Sequence, residues 1–264
     1  MLFRSGDLAH PLNVLMDCGL VVRQPDAFRA NRSTYEIAEP LITFYHAVMR
    51  PIWSDLAHTR NPSRLWERSG PRFTSSVLGP HFEQLCRYWT RYFAPEEITG
   101  GFPARVEPGI VNDPASKKTR QIDVAAFAVG DDGREAMLAI GEAKWHETMS
   151  IAHLERLRRI RGLLTAQGRP GAATARLLCF SGAGHTAELR DQAARSGEVR
   201  LLTPADLYTG ILLWLTPVIL GAALAPGVPD LPQIQESRQL HGVRLPVLPV
   251  ADAELHRQRA RARH

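Results

Sequence analysis

The stretch RQIDVAAFAVGDDGREAMLAIGEAKW, Arg120 to Trp145, decides the fold. Two apolar runs flank a turn, with Asp123 near the start of the first and Glu142 and Lys144 near the end of the second. The dipeptide Asp132-Gly133 suits a two-residue hairpin turn, because both central positions of a type I′ turn take positive φ. That register sets Asp123 across from Glu142, Ala125 across from Ile140 and Phe127 across from Leu138, all on one face. Ile122, Val124, Ala126 and Ala128 fall on the other face with Ala143, Gly141, Ala139 and Met137. Both faces are apolar, so the hairpin is expected inside a sheet covered on both sides. Lys144, two positions beyond Glu142, points to the same side as that glutamate.

Opposed β-carbons lie about 4.5 to 5.5 Å apart, so Asp123 and Glu142 repel unless one takes a proton or a cation sits between them. A hard divalent ion answers that need. Mg²⁺ or Mn²⁺ is held by one or two carboxylates, with waters and substrate phosphate oxygens completing the shell. Lys144 then stands where it steadies an attacking water or the charge on a scissile phosphate. A structural reading stands beside this one: Lys144 neutralises Glu142 at a strand end while Asp123 caps a turn.

Outward from the hairpin, VLGPHFEQLCRYWTRYF reads as an amphipathic helix with Phe82, Leu85, Cys86 and Trp89 on one face. An irregular strand follows near Arg105 to Val111. After the hairpin come a helix over Ser150 to Gln167, a strand in ARLLCFSG, a helix in TAELRDQAARSG and a strand in VRLLTP. The order αβββαβαβ predicts an α/β domain, an α+β mixed sheet with helices on its faces, over residues 75–207. RLRRIRG, Arg156 to Gly162, reads as the basic face of its helix.

Residues 1–60 read differently. Leu8, Leu12, Leu15 and Met16 recur at helical spacing before a glycine stop. Val21 and Val22 open a strand, RQPDAFRANRS reads as a basic turn and TYEIA as the returning strand, which together make the second half of a winged helix. The helices that usually precede such a hairpin are missing, so the module reads as partial. LITFYHAVMRPIW, Leu41 to Trp53, reads as a packing helix ended by Pro51, and AHTRNPSRLWERSGPRFTSS reads as a loop. Residues 208–264 read as an apolar segment and an extended basic tail ending RQRARARH.

With 264 residues and 44% hydrophobic content the chain can bury a substantial core. Its formal charge of +5 favours an anionic partner, with DNA the leading candidate. Cys18, Cys86 and Cys179 are far apart, so no zinc knuckle or disulfide framework is indicated. The charged first ten residues do not resemble a secretory leader, and a cytoplasmic protein is expected. YTGILLWLTPVILGAALA, Tyr208 to Ala225, is uncharged and near the length of a bilayer span, yet Pro217 and its glycines argue for a docked terminal helix instead. A membrane anchor is therefore the minority reading.

The pattern of Asp123 followed on the next strand by Glu142-Ala143-Lys144 resembles the PD-(D/E)XK signature of restriction-endonuclease-like folds, whose core is an αβββαβ unit. Ile122 stands where that signature has proline. In that superfamily a glutamate on the first core helix joins the active site, and the resemblance assigns this role to Glu83 in HFEQLCRYW. More specifically, YEIAEPLITFYHAVMRP, GPHFEQLCRYW, RQIDVAAF and IGEAKW resemble the C-terminal region of archaeal and bacterial AAA-type ATPases, over roughly residues 7–207. Those proteins join a P-loop ATPase to a winged helix and a nuclease-like domain. No GxxxxGK[ST] occurs here, and SGAGHT, Ser181 to Thr186, lacks the phosphate-binding lysine, so the chain is not itself an ATPase. An ATPase subunit encoded upstream is the implied partner.

The expected activity is a metal-dependent DNA endonuclease. Asp123 and Glu142 bind Mg²⁺ or Mn²⁺ with the Ala143 carbonyl, Lys144 assists the attack, and Glu83 supports the metal shell. Arg23, Arg29 and Arg32 near the wing are the expected phosphate contacts. The competing expectation is a noncatalytic DNA-binding or regulatory module that works with a separate ATPase.

Overall fold

A computed structural model describes residues 8–208 of the chain apart from Thr59 and Asp131. The elements run α1 (Ala9–Asp17), β1 (Val21–Asp26), β2 (Arg29–Ile37), α2 (Pro40–Phe44), α3 (Trp53–His58), α4 (Pro62–Phe73), α5 (Gly79–Tyr92) and α6 (Glu96–Thr99). They continue with β3 (Arg105–Asp113), β4 (Lys118–Val129), β5 (Glu135–Lys144), α7 (Ile151–Ala166), β6 (Arg176–Ser181), α8 (Ala187–Ala194) and β7 (Val199–Leu202). Strands β3 to β7 form one five-stranded sheet in sequence order, antiparallel from β3 to β5 and parallel from β5 to β7. The expected order αβββαβαβ and the mixed sheet are therefore both present.

Both sheet faces are covered, as the two-sided apolar pattern of β4 and β5 requires. On one side Ala125, Phe127 and Ile140 meet Leu154, Leu157, Ile160 and Leu164 of α7 and Leu189 of α8. On the other, Val124, Ala126, Ala139 and Ala143 let α5 approach with Phe82, Cys86 and Trp89. Alanines at these positions hold the helix close, and Trp89 fills the space with 1% of its surface exposed.

The turn differs from the sequence expectation. Gly130 N–H donates to the Arg134 carbonyl and Gly133 N–H to the Gly130 carbonyl, both at 2.9 Å, so the connection is longer than two residues. Gly133 still supplies the positive φ, at 73°. A bulge between Ala126 and Phe127 absorbs the change, setting Phe127 against Met137 rather than Leu138, while Ala125 still faces Ile140. A second irregularity lies nearby on the β3 side of β4, where Glu107 pairs with Ala125 but Gly109 pairs with Ile122. Three steps of β4 match two of β3, so Ile122 turns to the α7 side instead of the α5 side expected from strict alternation.

Three further expectations are corrected. Pro51 does not end its helix. A π turn over Tyr45–Met49 and a 3₁₀ turn over Arg50–Ile52 absorb the lost N–H, and α3 continues to His58. The segment read as a loop contains α4, because Asn61 accepts from the Arg64 N–H as N-cap, Pro62 occupies the first turn, and Leu65 and Ser69 are buried. The basic turn of the hairpin is short, since β1 and β2 run to Asp26 and from Arg29.

That short tip is part of the core. Ala27 N–H donates to the Pro108 carbonyl at 2.8 Å, and the Phe28 ring lies 6.1 Å from that of Phe127. A Cβ on Gly109 would meet the Phe28 ring at 2.5 Å, so glycine is what admits the tip. Among the described residues no helix is long and apolar enough to cross a membrane, and the apolar segment from Thr209 and the basic tail lie outside them.

Candidate active site

The ladder between β4 and β5 ends at Val124 and Gly141, and the two strands part just where the acidic residues begin. Asp123 takes over from the ladder: its Oδ2 accepts the Ala143 N–H at 2.9 Å. The irregularity after Ile122 aims this side chain, a placement common beside active sites. Asp123 and Glu142 are 5% and 3% exposed, and both reach one amine. Lys144 Nζ lies 3.0 Å from Glu142 Oε1 and 3.7 Å from Asp123 Oδ2.

A fourth member comes from α7. Arg156 Nη1 donates to Glu142 Oε1 at 2.7 Å, and its Nη2 donates to the Gln121 carbonyl. Glu142 Oε1 thus faces two cations, while Oε2 is buried with no partner. A buried carboxylate oxygen without a donor costs roughly 1 to 3 kcal/mol or more, so its presence asks for an explanation.

The protonation balance follows from these contacts. Burial raises Asp123 above its ordinary range, against the Lys144 charge and the Ala143 N–H, with Glu142 adding to the rise. For Lys144, burial pulls downward, but Asp123 and Glu142 outweigh it and hold the amine above its ordinary value. Lys144 is therefore a cation that donates, not a base that accepts.

Glu83 on α5 belongs to the same electrostatic cluster. Burial first and the Asp123 charge second push it up to about 7, with Arg87 and Lys144 opposing. Arg87, 7% exposed, ties this helix to both neighbours: Nη1 donates to the Asp123 carbonyl at 3.2 Å, and Nη2 lies 3.7 Å from Glu36 of β2. Gln84 donates to the same Glu36 carboxylate at 2.9 Å. Trp145 packs beside Phe82 with ring centroids 5.3 Å apart, and His146 is exposed.

The structure thus brings Asp123, Glu142 and Lys144 together and sets Glu83 within electrostatic reach of Asp123 and Lys144. It does not add the wing arginines to them. Arg29 donates to Asn112 and helps seat the hairpin on β3, Arg23 donates to Ser33, and Arg32 is exposed. Sequence reasoning missed Arg156, Arg87 and Glu36. The run RLRRIRG carries several arginines with separate duties: Arg156 on Glu142, Arg158 on Glu155, Arg159 on Asp113 and Arg161 on Glu198. Only their spacing on one helix hinted at this, since each partner is fixed by the fold.

Among the described residues no three His, Cys, Asp or Glu side chains gather as a metal cage. Asp123 and Glu142 offer two hard oxygen donors instead, and the orphaned Oε2 is available to a cation. That donor set fits Mg²⁺ or Mn²⁺, which keep waters and substrate oxygens as further ligands. No protein-family model, curated protein or solved structure matches the chain.

Proposed function

We propose that the chain is a metal-dependent DNA endonuclease of the PD-(D/E)XK type, a cytoplasmic phosphodiesterase that works beside an AAA-type ATPase supplied by another chain. The observation that carries the reading is the pair of buried carboxylates converging on Lys144 with one glutamate oxygen left unsatisfied. The order of elements around the five-stranded sheet supports the same assignment.

In this reading Asp123 and Glu142, with the Ala143 carbonyl, would hold Mg²⁺ or Mn²⁺. A divalent ion so held supplies neutralising charge to the scissile phosphate. Lys144 remains protonated and donates to the attacking water or to a non-bridging phosphate oxygen, stabilising the charge that grows as the P–O bond breaks. Glu83 would support the metal shell from α5, and a proton on it near neutral pH limits repulsion from Asp123. Arg156 would compete with such an ion for the Glu142 carboxylate.

Purified protein with Mg²⁺ or Mn²⁺ is expected to nick supercoiled plasmid, and Lys144→Ala to reduce the rate at least about a hundredfold. Equal nicking by the variant would defeat the assignment. One observation favours a second reading, a noncatalytic DNA-binding module: Lys144 and Arg156 already neutralise Glu142 Oε1 without an ion. Such a module binds DNA in EDTA with unchanged affinity and takes up no metal at Asp123.

A further inference from the structure

The helix that delivers Glu83 to the site also carries a second, open feature away from it. Helical spacing sets Glu83, Arg87 and Arg91 in one row and Gln84, Tyr88 and Tyr92 in the next. Along these rows runs a groove of about 340 Å³, walled on the far side by Arg105 of β3. Arg87 belongs to both places, since it lines the groove and donates to the Asp123 carbonyl.

The groove combines rings and cations. Tyr88 and Tyr92 are 36% and 54% exposed, with ring centroids 4.8 Å apart. The Arg91 guanidinium lies 5.2 Å from the centre of the Tyr92 ring and donates to the Pro103 carbonyl. Arg105 is balanced by Glu107 and Glu135. Among the described residues no acidic side chain pairs with Arg91, so its charge is available to a ligand. Exposed aromatic faces beside unpaired guanidinium are how proteins hold single-stranded nucleic acid, because every base has a face to stack and every nucleotide a phosphate. A duplex keeps its base faces stacked internally and offers them to neither tyrosine.

We propose that this groove is a track for a single-stranded stretch of nucleic acid leading to the carboxylate site, with bases on Tyr88 and Tyr92 and a phosphate toward Arg91. It rests on the phosphodiesterase reading for what lies at the end of the track. The substrate class then becomes DNA with a frayed, flapped or gapped end rather than an intact duplex.

The test uses the full chain in EDTA, so that binding is separated from cleavage. Fluorescein-labelled oligothymidylate of about twelve nucleotides, within the range a single groove covers, is titrated by anisotropy beside a duplex of equal length. The single strand is expected to bind more tightly. Tyr88→Ala combined with Tyr92→Ala weakens it at least about tenfold, each lost stack being worth a factor of that order. Tyr88→Phe with Tyr92→Phe keeps the rings and binds as wild type, which separates stacking from a folding defect. Arg91→Ala lowers the salt slope by about one.

Equal affinity for duplex and single strand would overturn the proposal, as would an alanine pair that binds as wild type. So would displacement of the oligonucleotide by polyglutamate as readily as by unlabelled strand, which would mark a surface for acidic protein. Binding in EDTA is read separately from nicking in Mg²⁺. Nicking without ring dependence therefore removes the track alone, and ring-dependent binding without nicking removes the phosphodiesterase reading alone.

Discussion

Two buried carboxylate sites lie on the same sheet, and they are built to opposite ends. At the β3–β4 turn Asp113, 1% exposed, accepts from the Ser116 N–H and from the guanidiniums of Arg120 and Arg159. Ser116 first, and then those arginines, outweigh burial and hold the carboxyl down to about 2. Midway along β4, Asp123 is raised instead, and Glu142 keeps an oxygen with no partner. A carboxylate whose lone pairs are filled by donors locks a turn. One held next to a like charge with capacity to spare is what a cation site requires, at a cost in stability borne by the rest of the fold.

The sharpest way to break this contrast is to remove one carboxylate from each site. Glu142→Gln is expected to lower Mg²⁺-dependent nicking at least about a hundredfold while leaving the protein folded, because the change removes a charge the fold does not fully satisfy. Asp113→Asn is expected to do the reverse: unfolding at lower denaturant concentration, with nicking retained. If Asp113→Asn abolished nicking in protein that still melts cooperatively, the division of labour would be wrong.

A smaller effect separates the two arginines three positions apart on α7. Arg159→Ala should lower the melting temperature and leave metal affinity unchanged, since its partner is Asp113. Arg156→Ala should tighten Mn²⁺ binding a few-fold, roughly the effect of removing one competing charge from Glu142. Equal behaviour of the two variants would erase the distinction.

The smallest effect concerns Glu83. Its folded form holds a proton to about 7, above the ordinary 4.5, so the folded state binds more protons than the unfolded one across that interval. Stability is therefore full below about 4.5 and declines as the pH rises through about 7. Thermal melts of Glu83→Gln should lose that decline, whereas Asp113→Asn should lose the opposite dependence at acid pH.

Much of this was legible in the sequence because burial on two faces forces a pattern: the runs around Val124 and Ile140 could only be interior strands, and Phe82, Cys86 and Trp89 could only be one helix face. Glu142 and Lys144 follow from two-residue alternation, which held through Gly141. What escaped was of three kinds. A bulge changes the facing of every residue beyond it and leaves no mark in composition, which is why the turn at Gly130–Arg134 and the facing of Ile122 were misread. Long-range pairing escaped as well: nothing local to Arg156, Arg87 or Glu36 names Glu142, Asp123 or α5 as its neighbour. Proline misled in a third way, since Pro51 read as a stop and the segment around Pro62 as a loop, where a 3₁₀ turn and a capped first turn accept them.

The most direct measurement is calorimetric titration of Mn²⁺ into wild type, Asp123→Asn and Asp113→Asn at neutral pH. Saturable uptake is expected for wild type and Asp113→Asn and none for Asp123→Asn. No uptake by wild type, or uptake by Asp123→Asn equal to it, would contradict a cation seat between β4 and β5.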